Sequence, residues 1–134
     1  VKVRLSCNEL YEMMQNMPFD RLHNTNGPVT DVLTSVQKPG CTVAGEGSRS
    51  RLSVLERTSA TRPDARLREL MPNRGWREEM QYAASGPGHT AFAYDLGGVL
   101  CYISARWDGG ADESPADNGK DRYEITVSCS EPHH

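Results

Sequence analysis

No apolar run approaches the ~18 residues that a membrane-crossing helix needs. No secretory leader is recognisable within the sequence, so one would have to precede residue 1. Cysteines are never spaced as C-x-x-C, which excludes a zinc ribbon and a thioredoxin-like redox site. G-x-S-x-G, H-E-x-x-H and phosphate-loop patterns are all missing, and with them the commonest motif-borne hydrolases and nucleotide binders. A strong charge imbalance is lacking too. Eighteen acids stand against 15 bases, net −3, so the chain as a whole is not built to bind nucleic acid. Hydrophobic residues are scarce at 37% and aromatics at 7%, enough for one modest core in 134 residues. His133 and His134 read as the start of a purification tag, which leaves 1–132 as a single domain.

Four cysteines are present: Cys7, Cys41, Cys101 and Cys129. An even count in a small chain fits two disulfides and an oxidising, extracytoplasmic compartment. Count alone allows three connectivities. The strand register derived below selects Cys101–Cys129 and leaves Cys7–Cys41. The alternative is four reduced, buried thiols.

Ser6-Cys7-Asn8-Glu9 has the form of a capping box. Leu10, Met13, Met14 and Met17 follow at one-face helical spacing, so a helix is expected over about 7–17, with Cys7 facing the core. The methionine stripe reads as a core face, with an adaptable binding face as the alternative. Asn24-Thr25-Asn26-Gly27-Pro28 is a turn cluster. Val29, Val32, Leu33 and Val36 are spaced for a second short helix over 29–37, stopped by Pro39-Gly40. Residues 42–50, with two glycines and two serines, read as a loop, and 51–57 as a short strand or extended link. Thr61-Arg62-Pro63-Asp64 starts a further helix, with Ala65, Leu67, Leu70 and Met71 on its apolar side. Pro72-Asn73-Arg74-Gly75 ends it.

From Trp76 the period changes to two. Strands are expected over 76–84, from Thr90 to Tyr94, over 99–107 and over 123–129. Gly97-Gly98 is a two-residue hairpin signal, which pairs Tyr94 with Cys101 and Phe92 with Ile103. Folding the last two strands about residue 115 pairs Cys101 with Cys129, Ile103 with Val127, Ala105 with Ile125 and Trp107 with Tyr123. A turn at 86–88 pairs Tyr82 with Phe92 and Met80 with Tyr94. Every apolar face then meets an apolar face, and a one-residue slip would undo all of them. The expected fold is α+β: two or three short N-terminal helices packed on a four-stranded antiparallel meander, stapled by disulfides. In the order of its elements this resembles β-lactamase-inhibitor-like and outer-membrane assembly lipoprotein domains. That resemblance implies an extracytoplasmic binding domain.

Charge is segregated along the chain. Residues 49–77 hold eight arginines, Arg49, Arg51, Arg57, Arg62, Arg66, Arg68, Arg74 and Arg77, against three acids. Arg62, Arg66 and Arg74 suggest an anion-binding surface, against a solvated helix face or ion pairing with the acidic loop as the plainer readings. Residues 108–121 hold five acids: Asp108, Asp112, Glu113, Asp117 and Asp121. Their spacing is not that of an EF-hand, so no metal or other cofactor is expected, although calcium on this loop stays a weighed alternative. With Trp107 and Tyr123 at its base, the loop reads as a contact surface for a basic protein partner. The expected function is therefore a small secreted or periplasmic, non-enzymatic binding protein, such as an inhibitor or immunity protein. Its binding residues are Trp107, Asp108, Asp112, Glu113, Asp117, Asp121 and Tyr123. The alternative is a small extracytoplasmic hydrolase using His89 with Asp95 or Asp108.

Overall fold

The computed structural model describes residues 2–17, 19–48, 63–86, 89–107 and 122–131. Within them the chain is mostly sheet. The elements are α1 (Lys2–Gln15), β1 (Arg21–Asn26), β2 (Val29–Thr30), β3 (Gln37–Lys38), β4 (Gly40–Ser48), α2 (Pro63–Asn73), β5 (Arg77–Glu78), β6 (Ala84–Gly86), β7 (His89–Leu96), β8 (Val99–Trp107) and β9 (Arg122–Ser130). Seven strands form one antiparallel sheet in the order β1-β4-β9-β8-β7, with β5 and β6 both pairing to β7, while β2 and β3 form a separate hairpin.

The expected fold class is thereby corrected. Instead of two or three helices on a four-stranded meander, two helices lie on one face of a seven-stranded sheet. The resemblance drawn from element order falls with it. Four local causes account for the difference.

First, α1 begins at Lys2, so Ser6 is a buried residue inside the helix and not its cap. The apolar stripe runs back through Cys7 to Val3, which packs against the core. Second, 29–37 is a hairpin and not a helix. Val29 is buried, but Val32, Leu33 and Val36 are exposed, so their helical spacing marks no core face. Ser35 sits in the left-handed region at φ 61°, which breaks any helical run.

Third, the expected loop at 42–50 is largely strand β4, and the first three residues of the turn cluster over 24–28 belong to β1. Cys41, Val43, Gly45 and Gly47 face inward, alternating with Thr42, Ala44 and Glu46. Two glycines obscured that alternation. Gly45 lies beneath an aromatic ring, where an added Cβ would stand 2.8 Å from Phe19 Cδ1. At Gly40 an added Cβ would collide with the Cys129 carbonyl oxygen and stand 2.9 Å from Val29 Cγ2. Fourth, the expected strand over 76–84 breaks into β5, a 3-10 turn over Met80–Tyr82, and β6. Glu78 pairs with Tyr94, and Ala84 with Ala91, so the expected pairs Tyr82–Phe92 and Met80–Tyr94 do not form. Met80 is exposed. Residues 51–57 and the helix start at Thr61-Arg62 lie outside the described residues.

The β7–β8–β9 register is as expected. Tyr94 opposes Cys101 and Phe92 opposes Ile103. Cys101 opposes Cys129, Ile103 opposes Val127, Ala105 opposes Ile125, and Trp107 opposes Tyr123. Gly97 and Gly98 both take positive φ, 60° and 92°, as a hairpin of the primed type requires. The core lies between this face and the helices. Cys7, Leu10 and Met14 of α1 and Leu67 and Met71 of α2 are fully buried against Phe92, Ile103 and Val127. Arg68 of α2 stands over the Phe92 ring, 4.3 Å from its centroid, and reaches Glu78 at 3.8 Å. Arg74 reaches Glu9 of α1 at 3.4 Å.

Both expected disulfides are present, Cys7–Cys41 and Cys101–Cys129. The first ties α1 to β4, and the second links two neighbouring strands. Among the described residues, no helix is long and apolar enough to cross a membrane.

Candidate functional site

The strands that carry the acidic loop end side by side. Trp107 closes β8 directly opposite Tyr123 on β9. On its other side Tyr123 opposes Gly47 of β4. Its ring is buried and packs against Phe19, centroid to centroid 5.6 Å at 45°. Phe19 in turn lies on Gly45. Asp108, Asp112, Glu113, Asp117 and Asp121 lie outside the described residues. On the outer face beside the loop runs a charged row across five strands: Arg21, Glu46, Glu124, Arg106 and His89, each opposing the next.

His89 stands in that row. Its Nε2 is 3.4 Å from Ser104 Oγ. Asp95, the carboxylate considered with it, is six residues further along the same strand, about 20 Å at ~3.4 Å per residue. That distance removes Asp95 as an orienting group for His89. Asp108 lies outside the described residues.

The opposite end of the sheet holds a site that the sequence reading missed. At the tip of the β2–β3 hairpin, Asp31 organises the turn. Its Oδ1 accepts the backbone N–H of Leu33 at 2.8 Å and of Thr34 at 3.3 Å. Its Oδ2 accepts the Tyr82 hydroxyl at 3.0 Å, which ties the hairpin to the 3-10 turn. Its backbone N–H donates to the Val36 carbonyl, and its carbonyl accepts from Ser35. Burial pushes the Asp31 carboxyl up. The Leu33 N–H, the Tyr82 hydroxyl, the Thr34 N–H and the Lys38 charge outweigh it and hold the group below the ordinary value of 3.8. Tyr82 is pushed up to about 12 by burial, by donating to Asp31, and by the negative charges of Asp31 and Glu79. The Tyr82 ring packs against Tyr102 at 5.9 Å.

The turn so fixed presents Val32, Leu33 and Val36 to solvent, each about half exposed. Beside it opens a groove of about 1020 Å³, lined among others by Val3 and Leu5 of α1, Val36 and Lys38 of the hairpin, and Cys41 of β4. Leu5 is also exposed. The apolar hairpin tip and the first turn of α1 thus border one concave, largely apolar surface. One sign of this was legible. An aspartate at the head of D-V-L-T-S is placed to accept N–H groups two and three residues on, which is turn chemistry and opposes a helix.

No family model matches the chain, and neither a curated protein nor a solved structure matches it.

Proposed function

We propose that the chain is a small extracytoplasmic, non-enzymatic binding protein that attaches to another protein and inhibits or neutralises it. The observation that carries this reading is the Asp31-organised turn. Exposing Val32, Leu33 and Val36 to water is unfavourable, and contiguous exposed apolar residues mark contact surfaces. Holding them in one conformation lowers the ordering cost of association. The acidic segment 108–121, which joins β8 to β9 between Trp107 and Tyr123, is a second contact element, and its charge speeds encounter with a basic partner. Two disulfides are compatible with an extracytoplasmic setting.

The test is a pull-down from the native envelope or secreted fraction with three baits. They are the unaltered chain, Leu33→Ser, and a chain with Asp112, Glu113 and Asp117 all changed to Asn or Gln. A protein held by the first bait, and lost or weakened at least tenfold with either of the others, is expected. Equal retention by all three baits, or a hydrolytic activity abolished by His89→Ala, would overturn the reading. Calcium at millimolar concentration is expected to leave the melting temperature unchanged against chelator. A rise of several degrees would instead make Asp108, Asp112, Asp117 and Asp121 ligands.

A further inference from the structure

The two edges of the sheet are built differently. At one, β7 is flanked by the short strands β5 and β6, with the Met80–Tyr82 turn between them, so the outermost backbone is interrupted. At the other, β1 runs unbroken over Arg21–Asn26, and among the described residues β4 is its only strand neighbour. Interrupted strands, lysine and proline guard a sheet edge against pairing with another chain. β1 carries none of these guards. The register fixes which groups this edge offers. The Gly27 N–H donates to the Gly40 carbonyl at 3.0 Å, just beyond the opposed residues Asn26 and Cys41. Hydrogen-bonded and non-hydrogen-bonded pairs alternate along an antiparallel ladder. Arg21, His23 and Thr25 therefore turn their backbone groups to β4, and Leu22, Asn24 and Asn26 turn theirs outward. Asn24 and Asn26 are exposed, and Leu22 is half-buried at the rim of the core. The Asn24 side chain is held in place, its Nδ2 donating to Asn8 Oδ1 of α1 at 2.9 Å.

We propose that β1 is the interface of a homodimer, in which two copies pair β1 to β1, antiparallel, about a two-fold axis at Asn24 and join their sheets into one. That pairing sets Asn24 against Asn24 of the second copy, and Leu22 against Asn26 in both directions. Every outward-turned residue then faces another. Each such pair exchanges two backbone hydrogen bonds, so the three pairs make six. A slip of one residue sets outward groups against groups already engaged with β4. A slip of two leaves one outward residue on each copy unpaired. The edge is thus complementary to itself, and fully so in one register only. The side chains agree with it. On the outer face His23 meets Thr25, and Arg21 meets Gly27, so no charge meets its like. On the core face Leu22 gains cover from Asn26 of the second copy. The two Asn24 amides meet at the axis, and an amide can both donate and accept. The dimer rests on the register of β1 and not on the binding reading.

The test is sedimentation equilibrium of the full chain from about 1 μM to about 300 μM, a range in which mass action populates even a weak dimer. The mass is expected to rise with concentration from that of one chain to that of two. Asn24→Pro removes the central outward N–H. Proline is tolerated on an edge strand where its nitrogen faces solvent. This variant is therefore expected to keep the parent's circular dichroism and to dimerise at least tenfold more weakly. Two charge variants test the register itself: His23→Lys with Thr25→Lys, and His23→Glu with Thr25→Glu. Each sets like charges against one another across the axis and is expected to weaken the dimer about tenfold. An equimolar mixture of the two sets opposite charges together, and is expected to associate at least as strongly as the parent. A parent that stays monomeric throughout, leaving the edge to another protein's strand, would overturn the proposal. So would a folded Asn24→Pro chain that dimerises like the parent, or a mixture no more associated than its two components.

Discussion

At the end of the sheet where β8 and β9 open toward residues 108–121, the outer surface carries Arg21, Glu46, Glu124, Arg106 and His89 in a row. At the other end, where β1 passes into β4 through the hairpin, water meets Val32, Leu33, Val36 and Leu5. The charged end needs little internal support, because solvated charges are at home in water, and the Arg21–Glu46 pair at 3.7 Å is largely exposed. The apolar end is supported from every side: by Asp31 within the turn, by Tyr82 from a distant segment, and by Gly40 beneath it. The charged row is carried on paired strands of the sheet, whereas the apolar tip lies outside that sheet and is fixed by side-chain contacts of its own.

That contrast can be broken by substitution. The largest effect is expected at Gly40, beneath the apolar end. Gly40→Ala drives a Cβ into a backbone oxygen that cannot yield, and should cost about 2–3 kcal/mol in urea unfolding. Gly45→Ala meets the Phe19 ring, a side chain able to turn aside, and should cost about 1 kcal/mol. Equal costs at the two positions would show that the apolar end is no more tightly built.

Next comes Asp31→Ala, which strips partners from two backbone N–H groups and one hydroxyl. A loss of about 1–2 kcal/mol is expected, with faster amide exchange at Leu33 and Thr34. Tyr82→Phe removes one of those bonds and should cost about 0.5–1.5 kcal/mol.

The pH dependence sharpens the same point from both sides. The Asp31 carboxyl titrates below its unfolded value in the folded protein. Its contribution is complete above 3.8 and is lost as pH falls through the depressed folded value. The Tyr82 phenol is raised from 10.0 to about 12, so its contribution is complete below 10.0 and is lost as pH rises toward 12. Amide exchange at Leu33 should therefore accelerate at both extremes in the native chain, and Asp31→Ala should remove the acid limb. The smallest effect on stability is expected at the tip. Leu33→Ser should stay within about 0.5 kcal/mol of the parent while costing partner affinity.

What the sequence discloses follows from how many constraints agree. Along β7, β8 and β9, uninterrupted alternation, a Gly97-Gly98 turn and a cysteine on each of β8 and β9 all demand one register, and the structure has it. The α1 face through Leu10, Met13 and Met14 was equally plain, although the helix ends at Gln15 and Met17 is buried just beyond it. β4 was hidden because glycine fills two of its inward positions, and at Gly45 the reason lies in Phe19, more than 20 residues away in sequence. The hairpin was misread because Val32, Leu33 and Val36 keep helical spacing without a buried face to serve. Nothing local announces that Tyr82 closes on Asp31, since that bond joins residues 51 apart. Of the expected binding residues, Trp107 and Tyr123 are placed opposite one another, and the five acids lie beyond the described residues.

β9 is the last in chain order of the described strands, yet it lies in the interior of the sheet, between β4 and β8. A ribosome therefore delivers the two sides before the piece that joins them. Until β9 arrives, β4 and β8 each present a bare inner edge, and Cys101 lacks the cysteine it bonds to. The domain cannot close from its N-terminus forward, and its slow step is expected to be the long-range insertion of β9. The sheet is thus completed from its middle, and its two halves stay unjoined until the final strand is made.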